Sequence, residues 1–384
     1  MELEPTAREN AFRVKVREWL QTNAPTETFE AMETPRGLSQ HLDWERTLHG
    51  AGYSAPHWPT AYGGGGLSPL MQAIFQEEYI RSGAPKRLNR MGLGLIGPTL
   101  IALGTDEQKS RWLGRILTCE DIWCQGFSER ESGSDLASVR TIGRVEADGL
   151  VINGHKLWTS LAVFANWMFA LVRTDEHSRR HDGLSFVLVP LDAEGVTVKP
   201  MRQLHGELGF AEVFFDDVFV PRDHVIGAVG EGWAVALKAL TFERSNGLAD
   251  HIRFSRSVRS LIELSHYEQA FEEPALRERL VQSYVETEVF GWYMQHTVTR
   301  DQDAPAHRAE ANMIKLFWTE MDAAIQECVR DVLGSSADLL DEALGARQGA
   351  VRDYWHARAA MIFAGANEVQ RNQIAERGLG LPRG

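Results

Sequence analysis

Two stretches in the middle of the chain combine residue types that could do chemistry. Gln125-Gly-Phe-Ser-Glu-Arg-Glu-Ser-Gly-Ser-Asp135 comes first, and Lys156-Leu-Trp-Thr-Ser160 follows it. The first offers small hydroxyls and a glycine, so backbone amides can approach a planar polar group closely. The second adds Trp158, a flat face for stacking. Each piece also has a plain reading: Ser128 and Ser134 as turn residues, Trp158 as core. A third candidate is Glu243, within Leu240-Thr-Phe-Glu-Arg-Ser245. Helical steps put Ala236, Ala239, Glu243 and Gly247 on one face, which leaves room for a thin chain beside the carboxylate. The same dipeptide can equally be a solvated Glu–Arg pair on an exposed helix.

Other signals fail. Gly92-Leu-Gly-Leu-Ile-Gly97 matches the dinucleotide fingerprint, but Lys86-Arg-Leu-Asn-Arg90 precedes it where a strand is needed, and Pro98 follows. Close helix packing is the better reading. Gly63 to Gly66 lacks the Gly-Lys-Ser/Thr ending of a phosphate loop. No histidine pair has metalloprotease spacing, and none stands in ligand spacing with cysteine, so no metal is expected. No G-x-S-x-G nucleophile elbow occurs.

Composition bounds the rest. The 384 residues carry 40 Lys plus Arg against 53 Asp plus Glu, a net charge of −13. An acidic balance argues against nucleic acid as partner. It leaves anionic small molecules open, because a few local arginines suffice for them. Three cysteines, Cys119, Cys124 and Cys328, make a disulfide framework improbable and fit a reducing compartment. The start is acidic and polar, which predicts no signal peptide. The longest apolar run, Met91 to Gly104, is too short to span a bilayer. The expectation is a cytoplasmic protein without a membrane partner.

Three zones must position the candidates. Residues 1–120 read as helical, with amphipathic patterns at 6–21, 38–51, 69–82 and 93–103. Thr105-Asp-Glu-Gln108 resembles a capping box that opens a helix through Leu117. Residues 121–228 change to short β-rich runs at Trp167 to Val172, Leu184 to Leu191, Val196 to Val198 and Val213 to Val220. Asn153-Gly154 predicts a hairpin turn. Residues 229–384 return to helix, over about 232–267, 274–299, 308–332 and 349–376.

Together these features resemble the acyl-CoA dehydrogenase family. The likeness covers nearly the whole chain and includes Gly104 to Lys109, Phe214-Phe-Asp-Asp-Val-Phe-Val-Pro221, Gly230-Glu-Gly-Trp233 and Phe363-Ala-Gly-Ala-Asn-Glu-Val-Gln-Arg371. It implies an α+β fold: an N-terminal helical domain, a middle β-barrel or sandwich domain and a C-terminal four-helix bundle. It implies FAD as cofactor. Gln125, Phe127, Ser128, Gly133, Ser134, Trp158 and Ser160 match flavin-contacting positions, as do Gly365, Asn367 and Glu368. The implied reaction converts an acyl-CoA thioester to a trans-2-enoyl-CoA, with the α-proton taken by a carboxylate and the β-hydride passed to flavin N5. Many members carry that glutamate immediately before the C-terminal Gly-Thr, where this chain has Ala364. A minority, including isovaleryl-CoA and actinobacterial steroid side-chain dehydrogenases, carry it on the first long helix of the last domain. Glu243 matches that place, and the Ala364 backbone N–H is expected to help hold the thioester carbonyl. Ser134, Arg244 and Gly247 are implied substrate contacts. A structural ion pair is an equal reading for Arg244.

Two departures concern assembly. Family homotetramers usually carry Arg-x-x-Phe-Gly and Gly-Gly-x-Gly segments that reach the neighbour's FAD. The corresponding regions here read Leu264 to Ala270 and Leu333-Gly-Ser-Ser-Ala337. Arg253, Arg256 and Arg259 could supply phosphate contacts instead, or form a solvated basic stripe. The resemblance therefore implies either a homo-oligomer, dimer or tetramer, or an α2β2 assembly with a related dehydrogenase chain. An electron-transfer flavoprotein is the implied acceptor. Competing readings are a flavin monooxygenase or nitroalkane-oxidase-type enzyme on the same fold, and a non-catalytic subunit.

Overall fold

Two threonines show how local sequence starts helices here. Thr6 and Thr105 each accept a backbone N–H three residues on, and Glu9 and Gln108 reach back to the cap N–H. In the computed structural model, which describes residues 5–204, 206–243, 250–298, 305–338 and 346–382, these caps open α1 (Ala7–Asn23) and α5 (Asp106–Leu117). Between them lie α2 (Pro35–Gly50), α3 (Pro69–Arg81) and α4 (Gly97–Leu103).

Gly92–Ile96 forms a π-helical turn leading into α4. Its glycines serve packing. A Cβ on Gly97 would lie 1.9 Å from the Trp58 ring, so only glycine lets the indole close onto the helix. Trp58 Nε1–H and His57 Nε2 both meet the Leu93 carbonyl, at 2.9 and 3.0 Å.

The strands are β1 (Trp123–Gly126), β2 (Ile142–Val145), β3 (Gly149–Ser160), β4 (Trp167–Arg173), β5 (Leu184–Pro190), β6 (Val196–Met201), β7 (Phe210–Pro221) and β8 (Val225–Ile226). They form one sheet in the order β6-β7-β3-β2-β4-β5-β8, with β1 parallel to β4. Strands β4 and β5 are apolar at nearly every position because both faces are covered. Met168, Ala170, Val172, Val187 and Val189 fill the interior of the β block. Phe169, Leu171, Phe186 and Leu188 face a second core shared with Trp58, Leu93, Leu100 and Trp112.

Asn153-Gly154 makes no hairpin turn. The β2–β3 turn is at Glu146 to Gly149, closed by a Glu146 N–H to Gly149 carbonyl bond of 2.9 Å. Asn153 instead exchanges two hydrogen bonds with Asp217 on β7, at 2.8 and 3.0 Å. Gly154 sits at a bulge whose Cβ would strike Thr141 at 2.7 Å. The dipeptide is used for close approach rather than reversal.

The last block holds α6 (Gly232–Glu243), α7 (Asp250–Tyr267), α8 (Pro274–Val298), α9 (Pro305–Leu333), α10 (Ala346–Ala360) and α11 (Asn367–Gln373). Helices α7 to α10 pack as a bundle around Phe254, Leu261, Phe290, Met294, Met321 and Ile325. The predicted helical pattern over 232–267 is met by α6 and α7 on either side of residues 244–249, which lie outside the described residues. The predicted 349–376 pattern is interrupted by a turn with Ala364 and Gly365 at positive φ. The Gln108 side-chain amide donates to the Asp223 and Val225 carbonyls, both at 2.8 Å, tying the N-terminal helices to the β block. All three cysteines are buried and unpaired. Among the described residues no helix is long and apolar enough to cross a membrane.

Candidate active site

The first two polar stretches are held together by a buried ion pair. Lys156 lies on the inward parity of β3 with Leu150 and Ile152 and is fully buried. Its ammonium donates to Glu129 Oε1 at 2.7 Å, to the Leu171 carbonyl at 2.6 Å and to the Phe127 carbonyl at 3.4 Å. Glu129 also accepts the Arg140 and Thr141 backbone N–H groups at 2.7 and 3.0 Å. Burial alone would raise the Glu129 carboxyl, but the Lys156 charge and these donors outweigh it and hold it below the usual range. Burial pushes the Lys156 ammonium down, against the pull of Glu129. The Leu157 N–H donates to the Ser128 carbonyl at 2.9 Å, completing the seam.

That seam leaves Trp158 at the surface. Trp158 takes a left-handed φ of 58° where β3 slips register against β7, and its ring is 55% exposed. Phe210 meets it edge-on at 5.9 Å. Ser128 and Ser160 are half-buried, and Gly133 and Ser134 are exposed. Among the described residues, the hydroxyls of Ser128, Ser134 and Ser160 and the Gln125 amide make no side-chain hydrogen bond to protein. Phe127 is different: it is buried in the core against Phe169 and Phe186. An exposed indole and uncommitted hydroxyls and an amide on the neighbouring segments are a set of groups whose chemistry fits a planar ring with polar edges.

Gly365, Asn367 and Glu368 lie elsewhere, against α9. Asn367 is buried, and its side-chain oxygen accepts from Lys315 at 2.7 Å and from Thr319 at 3.1 Å. Its role here is to tie the turn to α9. Gln370 Nε2 donates to the Ala364 and Gly365 carbonyls at 3.4 and 3.2 Å. Glu368 is exposed in the first turn of α11. Burial pushes the Lys315 ammonium down to about 8, against the attraction of Glu368 and Glu320. Ala364 is exposed at φ 53°. The hydrogen bonds of this turn stay within the C-terminal block.

Helix α6 packs on β5, α4 and the π-helical turn, so it sits where the three blocks meet. Ala236 and Ala239 are sealed in that shared core. The small-residue face is therefore packing surface at those two positions, not open room. The helix backbone is described to Glu243; the Glu243 side chain, Arg244 and Gly247 lie outside the described residues. Of the three arginines on α7, Arg253 stacks over Phe254 and Trp318, and Arg256 donates to the Ile80 carbonyl at 2.9 Å. Neither is an uncommitted phosphate ligand.

Three features escaped the sequence reading. The Glu129–Lys156 pair was within reach, since a lysine on the inward parity of a strand demands a carboxylate. The Lys315–Asn367 contact joins distant helices and left no local signal. The third is an open cavity of about 470 Å³ beside Ser134, lined by Asp135, Arg140, Arg173, Glu176, Arg179 and Arg180. Arg173 is committed to the Ala137, Val139, Arg180 and Asp182 carbonyls and to Ser178 Oγ. Arg140 pairs with Glu131 at 2.7 Å. Arg179 and Arg180 are exposed and have no ion pair among the described residues.

A helical block, a β block with an exposed indole at its surface, and a second helical block together have the architecture of an acyl-CoA dehydrogenase. The family profiles agree: "Acyl-CoA dehydrogenase, N-terminal domain" matches residues 6–120, the middle domain 124–218 and the C-terminal domain 230–379. The chain belongs to the acyl-CoA dehydrogenase family, is an oxidoreductase, and uses FAD. It is 42% identical to "Acyl-CoA dehydrogenase IpdE1" of Mycolicibacterium smegmatis, covering 97% of each chain. Among solved structures it resembles "Tcur3481-Tcur3483 steroid ACAD", with a TM-score of 0.86, 28% identity and full coverage of both chains. It also resembles the ChsE4-ChsE5 complex from Mycobacterium tuberculosis, with a TM-score of 0.85, 28% identity and full coverage of both chains.

Proposed function

We propose that this enzyme dehydrogenates a ring-bearing, steroid-derived acyl-CoA between its α- and β-carbons, with Glu243 as the base that takes the α-proton. The observation that carries the reading is the setting of α6. The helix packs against both the N-terminal and the β block and carries Glu243 in its last described turn, while the alternative base position holds Ala364. Proton removal next to a thioester needs a carboxylate in a dry site and a donor for the carbonyl as enolate character grows. The Ala364 backbone N–H is the proposed donor. Bound FAD supplies the two-electron acceptor for the β-hydrogen.

The chain's own residues divide the remaining work. Trp158, Ser128, Ser134, Ser160 and Gln125 orient the isoalloxazine, with Phe127 as the core anchor of that stretch. Gly133 allows close approach, and Gly365, Asn367 and Glu368 form the C-terminal turn that meets the cofactor. Ser134, Arg244 and Gly247 line the substrate path. Arg179 and Arg180 offer uncommitted charge to the CoA phosphates beside Ser134. We assign these roles to segments 1–120, 121–228 and 229–384, supported by the change from helix to strand after α5 and back at α6.

The steroid assignment draws on the likeness to the Tcur3481-Tcur3483 steroid dehydrogenase over the full chain. Both neighbours also carry two chain names, which supports an assembly of this chain with a related dehydrogenase chain. An electron-transfer flavoprotein is the proposed acceptor. The test is anaerobic flavin bleaching by a panel of acyl-CoAs. Glu243→Gln should keep its FAD and slow bleaching by about 10²-fold or more. Unchanged bleaching would refute the base assignment.

A further inference from the structure

The loop between β4 and β5, residues 174–183, has two sides. One side lines the cavity beside Ser134, where Glu176, Arg179 and Arg180 stand. The other touches the start of α6, the helix that carries Glu243. There His181 lies on the Trp233 ring, with centroids 4.4 Å apart and a tilt of 33°. A second tie runs alongside. The Gly230 N–H donates to Ser185 Oγ at 2.8 Å, and the Ser185 and Thr174 hydroxyls meet at 2.7 Å. Thr174 donates to the Gly183 carbonyl at 3.2 Å. Its one proton is thereby engaged, so Ser185 is the donor between the two hydroxyls. Leu184 bridges Glu231, and a Cβ on Gly232 would lie 2.3 Å from the Phe186 nitrogen. The entry of α6 is thus pinned to β5 and to this loop.

The loop is held in a shape that opposes itself. Arg180 takes a left-handed φ of 55°, which a side chain disfavours. It stands beside Arg179; both are exposed, and neither has an ion pair among the described residues. Two adjacent cations repel each other. Arg173 works against both effects. It donates to the Arg180 and Asp182 carbonyls, each at 3.1 Å, and to Ser178 Oγ at 2.8 Å. An anion in the cavity would remove the repulsion and favour the same shape.

We infer that His181 is a positioning residue: through Trp233 it carries the effect of a phosphate-bearing group in the cavity to α6, and so to Glu243. This rests on the roles proposed above for the cavity and for Glu243, and adds how the two are connected. The nucleotide end of the thioester takes no part in the bond changes. Its binding energy raises the rate only where it orders the reacting end. The His181–Trp233 contact is the route. A settled loop keeps His181 on Trp233, and Trp233 fixes the first turn of the helix whose last described turn bears the base.

The test cuts the substrate in two. The acyl-CoA that bleaches the flavin fastest is replaced by its acyl-pantetheine thioester, and adenosine 3′-phosphate 5′-diphosphate is supplied separately to the holoenzyme. In the wild type the nucleotide should speed anaerobic bleaching by the thioester about tenfold or more. In His181→Ala that acceleration should shrink about three- to tenfold, the size of one aromatic contact. Calorimetry should show the nucleotide's Kd within about twofold of wild type in the same variant, with FAD content unchanged. His181→Phe keeps a flat ring on Trp233 and should restore the acceleration. Arg179→Ala with Arg180→Ala should instead raise the nucleotide concentration needed. Acceleration of wild-type size in His181→Ala would overturn the role of His181, and so would its loss in His181→Phe. A nucleotide that binds the wild type without accelerating it would overturn the connection and leave the cavity and base assignments standing. A nucleotide that does not bind would overturn the cavity assignment and this inference with it.

Discussion

Replacing Lys156 with methionine tests whether one buried pair holds the flavin face together. Methionine keeps the length and apolar stem of the side chain and removes its charge. Glu129 then keeps two backbone donors but loses its cation, and the Leu171 and Phe127 carbonyls lose a donor. Breaking a buried pair from one side costs about 3–5 kcal/mol. The two remaining donors on Glu129 put the expected loss near the middle, about 4 kcal/mol. At about 2–4 °C per kcal/mol, that is a fall in Tm of roughly 10 °C. Because the Phe127–Glu129 segment and Leu157–Trp158 share this seam, FAD occupancy should fall as well.

The assay is thermal unfolding with the flavin-to-protein absorbance ratio measured on the same samples. Adding Glu129→Gln to Lys156→Met removes the stranded charge, while the amide oxygen can still accept the Arg140 or Thr141 N–H. The double variant should therefore recover about 2 kcal/mol relative to the additive sum of the single changes. A Lys156→Met enzyme within 1 °C of wild type and fully flavinated would refute the reasoning. Strict additivity of the two substitutions would refute it too.

The other predictions are briefer. The same pair should appear in the pH dependence of stability. Glu129 is held below its unfolded value of about 4.3, so its stabilisation is complete above that pH and is lost as pH falls through the lower folded value. Urea midpoints should drop steeply below pH 4 in wild type and less so in Lys156→Met. Lys315 shows the same sign at alkaline pH. Its folded value of about 8 lies below the unfolded 10.4 or so, so stability should rise between those pH values, and Lys315→Met should abolish the rise and release FAD. Gly97→Ala should cost about 2–3 kcal/mol and shift tryptophan fluorescence, because the new methyl meets the Trp58 ring. Arg179→Ala with Arg180→Ala should weaken acyl-CoA binding about tenfold by titration, with FAD content unchanged.

Helices and strands were largely legible where one physical signal dominated. Thr105 and Gln108 fixed the start of α5 because capping is local. The apolar runs of β4 and β5 announced strands because both faces are buried. Where local chemistry served a distant partner, the reading failed. Asn153-Gly154 carries turn residues, yet Asn153 is used by Asp217 on another strand. Within Gly92-x-Gly-x-x-Gly97, Gly97 makes room for the ring of Trp58 and Gly92 for the side chain of Asn89. Ala236 and Ala239 looked like space for a ligand, but a stripe of small residues does not say whether a ligand or another block fills the gap. The residues proposed to face the flavin come from the family likeness. The ion pair that orients them depends on β3 and the Phe127–Glu129 segment meeting in three dimensions.

The three cysteines gain a further meaning once the substrate is a thioester. Acyl-CoA is an activated acyl donor, and any accessible thiolate could exchange with it and become acylated. Cys119 is buried, and burial pushes its thiol up to about 12. Cys124 and Cys328 are buried and raised in the same direction by the same cause. All three thiols are thus kept protonated at neutral pH, and none lies open to solvent. No cysteine of this chain is therefore placed to take the acyl group from a bound thioester.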